Sequence, residues 1–504
     1  MARLLDLPLL VILMGLGALA MLVPALHGFM VSDYRSARAF FYSAALFSLL
    51  TVMIGIATAQ YQPRNFARSH LAALLSAYLV LPVMLAVPFH EAVRDTTFLN
   101  AWFEMVSSFT TTGATLFDTP GRLAPSVHLW RALVGWFGGA FILLAALAIL
   151  APLNLGGFEV ATGAAAGRGA VGTTQITRIA DPAERLIRYS RVLFPVYGAM
   201  TLVLWIALLI AGETPLVAAC HAMSTLATSG ISPVGGLERA QAGIAGEALI
   251  LLALLPALSR RAWPAAPLVG QHPLRRDPEV RIGLFILLLA PTVLFLRHWF
   301  GAIDTAEPDD LPFALRAAWG SIFTTLSFLS TNGFVSADWA EARVWSGLRA
   351  PGLILLGLAV VGGGVATTAG GVKLLRVYAL GRHAQREMER LIHPASIGGA
   401  GPQERRLRRE GAQAAWVFFM LFAASISIVV AALALTGLTF EPALILTIAA
   451  LSTTGPLAAV AGDAPLIYAA LSGPAKAVLA GAMVLGRLEA LAIIALFAPV
   501  TWRN

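Results

Sequence analysis

The sequence predicts an all-α polytopic membrane protein: four membrane–pore–membrane repeats around one pore, preceded by a two-helix N-terminal hairpin. Three observations carry that prediction. Of 504 residues, 58% are hydrophobic and only 12% charged, where a soluble domain carries about 25% charge; the mean hydropathy is +0.78. Runs such as FILLAALAILAPL and IGLFILLLAPTVLFL are too long and too free of charge to be core strands of a soluble fold. One pattern occurs four times: a long apolar segment, a short one, a small polar turn with a glycine, and a second long segment.

In chain order, two hydrophobic segments lead, near 4–26 and 38–58. The first has a basic start and an apolar run, like a signal peptide. It is long and no convincing cleavage site follows, so it reads as a retained transmembrane helix. Residues 1–69 then form the hairpin. Repeat 1 (70–188) holds segments near 71–89, 98–109 and 129–152, with TTTGAT after the short one. Repeat 2 (189–278) holds 189–211, 214–226 and 243–258, with TSGIS; repeat 3 (279–411) holds 281–299, 311–328 and 350–366, with STNGF. Repeat 4 (412–504) holds 413–436, 440–452 and 474–499, with STTGP. Gly113, Gly230, Gly333 and Gly455 therefore recur at intervals of roughly 100–120 residues, the mark of internal duplication.

Charge placement orients the chain. The net charge is +8. Arginines gather at Arg260, Arg261, Arg275, Arg276 and Arg281, and again from Arg382 to Arg409. The positive-inside rule puts these loops, with the N-terminus, in the cytoplasm. Acids gather elsewhere: Asp304, Glu307, Asp309 and Asp310 before one glycine turn, Asp338 and Glu341 after it. Facing outside, they would raise local cation concentration. No folded basic domain suggests a nucleic-acid partner. Cys220 is the single cysteine, which excludes an intrachain disulfide and argues against a cysteine-based metal site.

The small-residue turns have a physical reading. A short helix that enters the membrane and turns back leaves non-helical backbone at membrane depth. That backbone is tolerated only where it is buried in protein or lines a water-filled cavity. Glycine lets a carbonyl be aimed where a residue with a Cβ could not aim it. Four such loops around one axis form a ring of carbonyl oxygens able to replace a monovalent cation's hydration shell. Serine and threonine add oxygens without charge. A carboxylate ring would favour divalent ions; a neutral ring of modest field fits potassium. A single TTTG is more often an ordinary extracellular turn, but four copies in the same context are hard to assign to chance.

Two further features fall in apolar spans. In VVGGGVATTAGGVKLLR, the glycines Gly362, Gly363, Gly364, Gly370 and Gly371 each cost about 1 kcal/mol relative to alanine in a helix. They predict a loop at membrane depth that could gate ions, against the alternative of close helix packing through small residues. Lys373 closes that stretch; it could pair with an acid, repel cations or snorkel to the interface. In the last segment, Arg487 and Glu489 stand two residues apart and so on different faces. Arg487 is either an electrostatic barrier to cations or a donor to backbone carbonyls.

These motifs carry a family resemblance. FEMVSSFTTTGATLFD with LWRALVGWFGGAFIL, HAMSTLATSGISPVGG, GGGVATTAGGVKLLRV, MERLIHPASI and MVLGRLEALAIIALFAPVTWR resemble the membrane subunits of Trk-type potassium uptake systems, within the Trk/Ktr/HKT superfamily. The two extra leading helices favour the TrkH/TrkG branch. The resemblance implies a bacterial inner-membrane protein in which backbone carbonyls hold potassium. In this chain those would come from Thr111, Thr112 and Gly113; Thr228, Ser229 and Gly230; Thr331, Asn332 and Gly333; Thr453, Thr454 and Gly455. It implies that the intramembrane loop gates, that Arg487 lies near the permeation path, and that the chain works as a homodimer. It also implies a cytosolic, nucleotide-binding regulatory subunit of the TrkA type, docked on the arginine-rich loops, and no organic cofactor on this chain. The triplets TSG and TNG, and the helix ALILLALLPALSRRAWPA, depart from the family pattern.

Rival classes lack their signatures. No HExxH, nucleophile elbow or acidic metal cluster marks an enzyme, and no GxxxxGK[ST] marks an ATP-driven pump. An inverted-repeat transporter predicts broken helices rather than four short helices with glycine turns. Channel-like conduction, ion-coupled symport and a less selective potassium–sodium path are not separated by the sequence.

Overall fold

The computed structural model describes residues 7–59, 66–153, 155–158, 160, 182–263, 277–301, 311–347, 352–392, 411–462 and 464–497. Every regular element among them is helical. The acidic stretch Asp304 to Asp310, Arg275, Arg276 and the arginines from Arg405 to Arg409 lie outside the described residues.

Helices α1 (Leu9–Ala20) and α2 (Leu22–Met30) form one apolar rod interrupted at Met21, three residues before Pro24. Asp33 then turns the chain into α3 (Tyr34–Thr58), its carboxylate accepting the Ser36 amide at 3.1 Å. Helix α4 (Phe66–Ala92) and the short α5 (Phe98–Phe109) lead to α6 (Pro125–Ala145). The same order follows in α7 (Pro182–Ile210), α8 (Pro215–Ala227) and α9 (Gly243–Leu254). It follows again in α10 (Pro278–Gly301), α11 (Leu311–Leu329), a small surface helix α12 (Trp339–Ser346) and α13 (Gly352–Val361). After α14 (Leu374–Ile392) come α15 (Ala412–Ala434), α16 (Phe440–Leu451), the one-turn α17 (Leu457–Val460), α18 (Gly473–Leu488) and α19 (Ala490–Phe497).

Lipid is the solvent for this fold. Seven stretches among the described residues are long and apolar enough to cross a membrane. Leu46, Leu49, Met53 and Ile56 on α3, Ile206 and Ile210 on α7, and Leu284, Phe285 and Leu288 on α10 are exposed. In water such apolar patches would be a liability; in a bilayer they are the face that meets the acyl chains. The chain is a multi-pass membrane protein. By contrast α5, α8 and α16, at 12, 13 and 12 residues, reach only about 18–20 Å at the helical rise, against roughly 30 Å of hydrocarbon. They stop inside the protein, buried against two large apolar clusters.

Two differences from the sequence reading have physical causes. The arginine-rich stretch from Arg382 reads as a loop in sequence but begins as helix: α14 runs to Ile392, through good helix formers without a proline before Pro394. The final segment, 474–499, reads as one helix but breaks at Glu489, whose φ is +63°. There its carboxylate meets the fully buried Arg376 at 2.6 Å, and the Arg376 guanidinium stacks 3.6 Å from the Phe418 ring centroid.

Candidate functional site: four converging helix caps

Each short helix ends in the same cap. The amide two residues before the glycine bonds back three residues: Thr111 to Ser108 at 2.9 Å, Thr228 to Thr225 at 3.1 Å, Thr331 to Phe328 at 3.1 Å and Thr453 to Ala450 at 3.2 Å. The next amide bonds back five: Thr112 to Ser107 at 2.8 Å, Ser229 to Ser224 at 2.9 Å, Asn332 to Ser327 at 2.9 Å and Thr454 to Ala449 at 2.8 Å. This is the paired bonding of a Schellman cap, whose outer residue must be left-handed. Glycine is the usual occupant. Here it is threonine four times, with φ of 55°, 49°, 58° and 54° at Thr111, Thr228, Thr331 and Thr453. A β-branched residue in that region is a genuine outlier, worth about 1–3 kcal/mol of strain that surrounding structure must hold. The caps consume the loop amides, so the loop carbonyls are left to find other partners.

The four loops meet in a ring. A Cβ on Gly113 would collide with the Ser229 carbonyl oxygen, and one on Gly230 with the Asn332 carbonyl oxygen. A Cβ on Gly333 would lie 3.0 Å from the Pro456 ring, and one on Gly455 would strike the backbone of Ala114. Repeat 1 thus touches 2, 2 touches 3, 3 touches 4 and 4 touches 1. The four cap threonines are buried, yet the hydroxyls of Thr111 and Thr453 have no hydrogen-bond partner. Unpaired buried hydroxyls cost free energy unless an ion or water meets them. Above the ring opens a vestibule of about 460 Å³, lined by all four glycines with Asp118, Arg131 and Tyr468. The C-terminal ends of α5, α8, α11 and α16, each bearing partial negative charge, run directly into the loops.

Buried carboxylates absent from the sequence reading hold the loops in place. Glu104 on α5 accepts the Leu116 amide at 3.0 Å and pairs with Arg131 at 2.6 Å. Glu247 on α9 accepts from the Trp319 indole at 2.7 Å, the Ser336 hydroxyl at 2.7 Å and the Ala337 amide at 2.6 Å, fixing the segment after the third glycine. Their signal was available: a single acid in an apolar span is expensive and rarely idle.

Residues 362–373 are the non-helical segment between α13 and α14, and all of them are buried. Gly362 and Gly371 are left-handed at φ 71° and 77°, and side chains there would strike the opposing strand of the loop. Gly363 and Gly364 let the loop lie against the carbonyls of Ala257 and Leu258, and the Gly364 amide donates to Ala257 at 2.9 Å. Both sequence readings are thus realised together, a loop and a close approach through small residues. The crest of the loop touches the ring. The Gly370 amide donates to the Thr331 hydroxyl at 2.7 Å, and a Cβ on Gly370 would strike the Ser452 carbonyl. Glu279 accepts the Val365 amide at 2.8 Å from the α10 side. Lys373 turns inward and donates to the Ala369 carbonyl. Arg487 donates to the Thr368 carbonyl at 2.7 Å, and the two cations line one small cavity with Gly370. Arg487 and Glu489 do not pair; each serves a different partner. His221, beside the second loop, packs on Phe334 and bonds the Ser232 hydroxyl at 2.9 Å.

Comparison with known proteins agrees in kind. Residues 284–503 match the model of the TrkH cation transport protein family. The chain is 28% identical over 503 residues to the Trk system potassium uptake protein TrkH of Vibrio parahaemolyticus, covering 98% of both. It is 26% identical over 448 residues to the Trk system potassium uptake protein TrkG of Escherichia coli K12, covering 85% of this chain and 84% of that one. The crystal structure of the potassium transporter TrkH from Vibrio parahaemolyticus superposes over 100% of both chains with a TM-score of 0.79 at 24% identity, a likeness of fold.

Proposed function

Starting from this whole-length similarity to Trk-type membrane subunits, a family of membrane transport proteins rather than enzymes, we propose that the chain takes up potassium across a bacterial inner membrane. The units are the four repeats bounded at 70–188, 189–278, 279–411 and 412–504. Backbone carbonyls of Thr111, Thr112 and Gly113, Thr228, Ser229 and Gly230, Thr331, Asn332 and Gly333, and Thr453, Thr454 and Gly455 replace the ion's water. One observation supports this above the rest: four strained threonine caps, equivalent in bonding, converge in a closed ring. Neutral oxygens suit a monovalent ion, and the membrane potential supplies about 2.3 kcal/mol per charge per 100 mV to drive it inward.

The segment Gly362 to Lys373, with Arg487, is the gate in this reading. It sits against the ring's inner side, and two cations beside it repel an incoming one. A homodimer, with a cytosolic nucleotide-binding regulatory subunit docked on the arginine-rich surface near α14, would release it. The N-terminus and that surface then lie in the cytoplasm.

The test is ⁸⁶Rb⁺ uptake into liposomes holding the full chain, with potassium or sodium as competitor, for wild type and Gly113→Ser. Competition by potassium well beyond sodium, lost in the variant, supports the reading. Equal competition in wild type replaces it with an unselective cation path.

A further inference from the structure

The ring is not four-fold at its glycines. Gly113, Gly230 and Gly333 are left-handed at φ 73°, 63° and 80°; Gly455 is not. The local cause is in the sequence: only Gly455 precedes a proline, and a residue before proline is driven out of the helical region toward extended backbone. The carbonyl and amide of Gly455 are then engaged by the protein. The Tyr468 hydroxyl donates to the Gly455 oxygen at 2.9 Å, and the Ala458 amide donates to the same oxygen at 3.2 Å. The Gly455 amide donates to the Thr112 oxygen at 2.6 Å, across the boundary between repeats 4 and 1. Pro456 meanwhile occupies the space in front of Gly230 and Gly333. Tyr468 is buried and braced by Phe103 on α5, ring centroids 6.0 Å apart.

We propose that Tyr468 is a specificity-determining residue: together with the Ala458 amide it fills both acceptor positions of the fourth glycine carbonyl, so the glycine level of the ring offers three free carbonyls instead of four. The inference rests on the carbonyl-ring reading above and deepens it. A carbonyl already accepting a hydroxyl proton presents less negative charge to an ion. Three carbonyls and the wet vestibule leave the ion part of its water. Discrimination by dehydration is therefore weaker at this level than in a four-carbonyl ring. Pro456 keeps the arrangement by denying Gly455 the left-handed backbone of its three counterparts. Tyr468 itself is a positioning residue, acting through Gly455.

The experiment compares ⁸⁶Rb⁺ uptake in liposomes for wild type, Tyr468→Phe and Pro456→Ala, with potassium and sodium as competitors. Tyr468→Phe keeps the packing on Phe103 and removes only the hydroxyl, opening one acceptor position of the Gly455 carbonyl beside the Ala458 amide. The expected result is a rise of about five-fold in the ratio of sodium to potassium concentrations that halve uptake, the factor one ordinary hydrogen bond is worth. Pro456→Ala is expected to move the ratio the same way by a smaller factor. Tyr468 acting merely as a brace would loosen the loop and lower the ratio. A ratio unchanged or lowered in Tyr468→Phe, with potassium-blocked uptake intact in wild type, overturns the inference alone. Wild-type uptake that potassium does not block overturns the carbonyl-ring reading beneath it.

Discussion

The Nη1 of Arg487 lies 2.7 Å from the carbonyl oxygen of Thr368. That one bond joins α18 to the crest of the intramembrane loop, two residues from where Gly370 bonds Thr331 at the underside of the ring. Helix α18, loop and ring therefore form one mechanical chain, and the charge on Arg487 sits at its middle.

Removing that charge should free the loop and lower the barrier together. For Arg487→Ala, basal ⁸⁶Rb⁺ uptake by the chain without any cytosolic partner is expected to rise about ten-fold, the low end for a charge-assisted hydrogen bond. Arg487→Lys keeps the charge without the planar fork and should fall between. Uptake in Arg487→Ala at or below wild type would detach Arg487 from gating.

The four cap threonines are equivalent in backbone but not in side chain. The Thr331 hydroxyl accepts the loop's Gly370 amide, while the Thr228 hydroxyl bonds only the neighbouring Ala227 carbonyl. Thr331→Val should leave a buried amide unpaired, at a cost of about 1–3 kcal/mol, and raise basal uptake. Thr228→Val, equally β-branched, should change uptake far less. Parallel liposome flux on the two variants checks the contrast, and equal effects would mean the loop is not held from above.

Glu247 accepts two hydrogen bonds from the segment that follows Gly333 and a third from Trp319 on α11. Glu247→Gln presents an amide where donors already point, and stability should drop by about 2 kcal/mol. The midpoint of thermal unfolding in detergent reads this directly. An unchanged midpoint would make the carboxylate dispensable to the loop.

Breaking the Glu104–Arg131 pair from one side should be worse than removing both charges. Arg131→Leu leaves the buried Glu104 carboxylate without its cation, holding only the Leu116 amide, a loss of about 3–5 kcal/mol. Adding Glu104→Gln to it should restore part of the thermal midpoint. A double variant no better than the single would show that Leu116, rather than Arg131, is the partner that matters.

Much of this was determined by the sequence alone. Apolar length against bilayer thickness set the long helices, and short segments ending before a glycine turn set the buried helices between them; α5, α8 and α16 end within a residue or two of the segments that composition and turns define. Five glycines between Val361 and Leu374, each costing about 1 kcal/mol in a helix, favour a loop over helix packing. Both signals are local, because backbone propensity and transfer from water act residue by residue.

What only the tertiary structure decided is pairing. Threonine at each cap reads in sequence as an ion-facing hydroxyl; packing makes it a left-handed residue that no propensity would place there. The break at Glu489 needs Arg376, 113 residues away, to meet it. The departure of Gly455 from its counterparts begins with Pro456, a local cause, but its consequence depends on Tyr468 and Thr112 arriving from elsewhere in the chain. A buried polar group is costly until its partner is in place, and which partner arrives is a property of the whole fold.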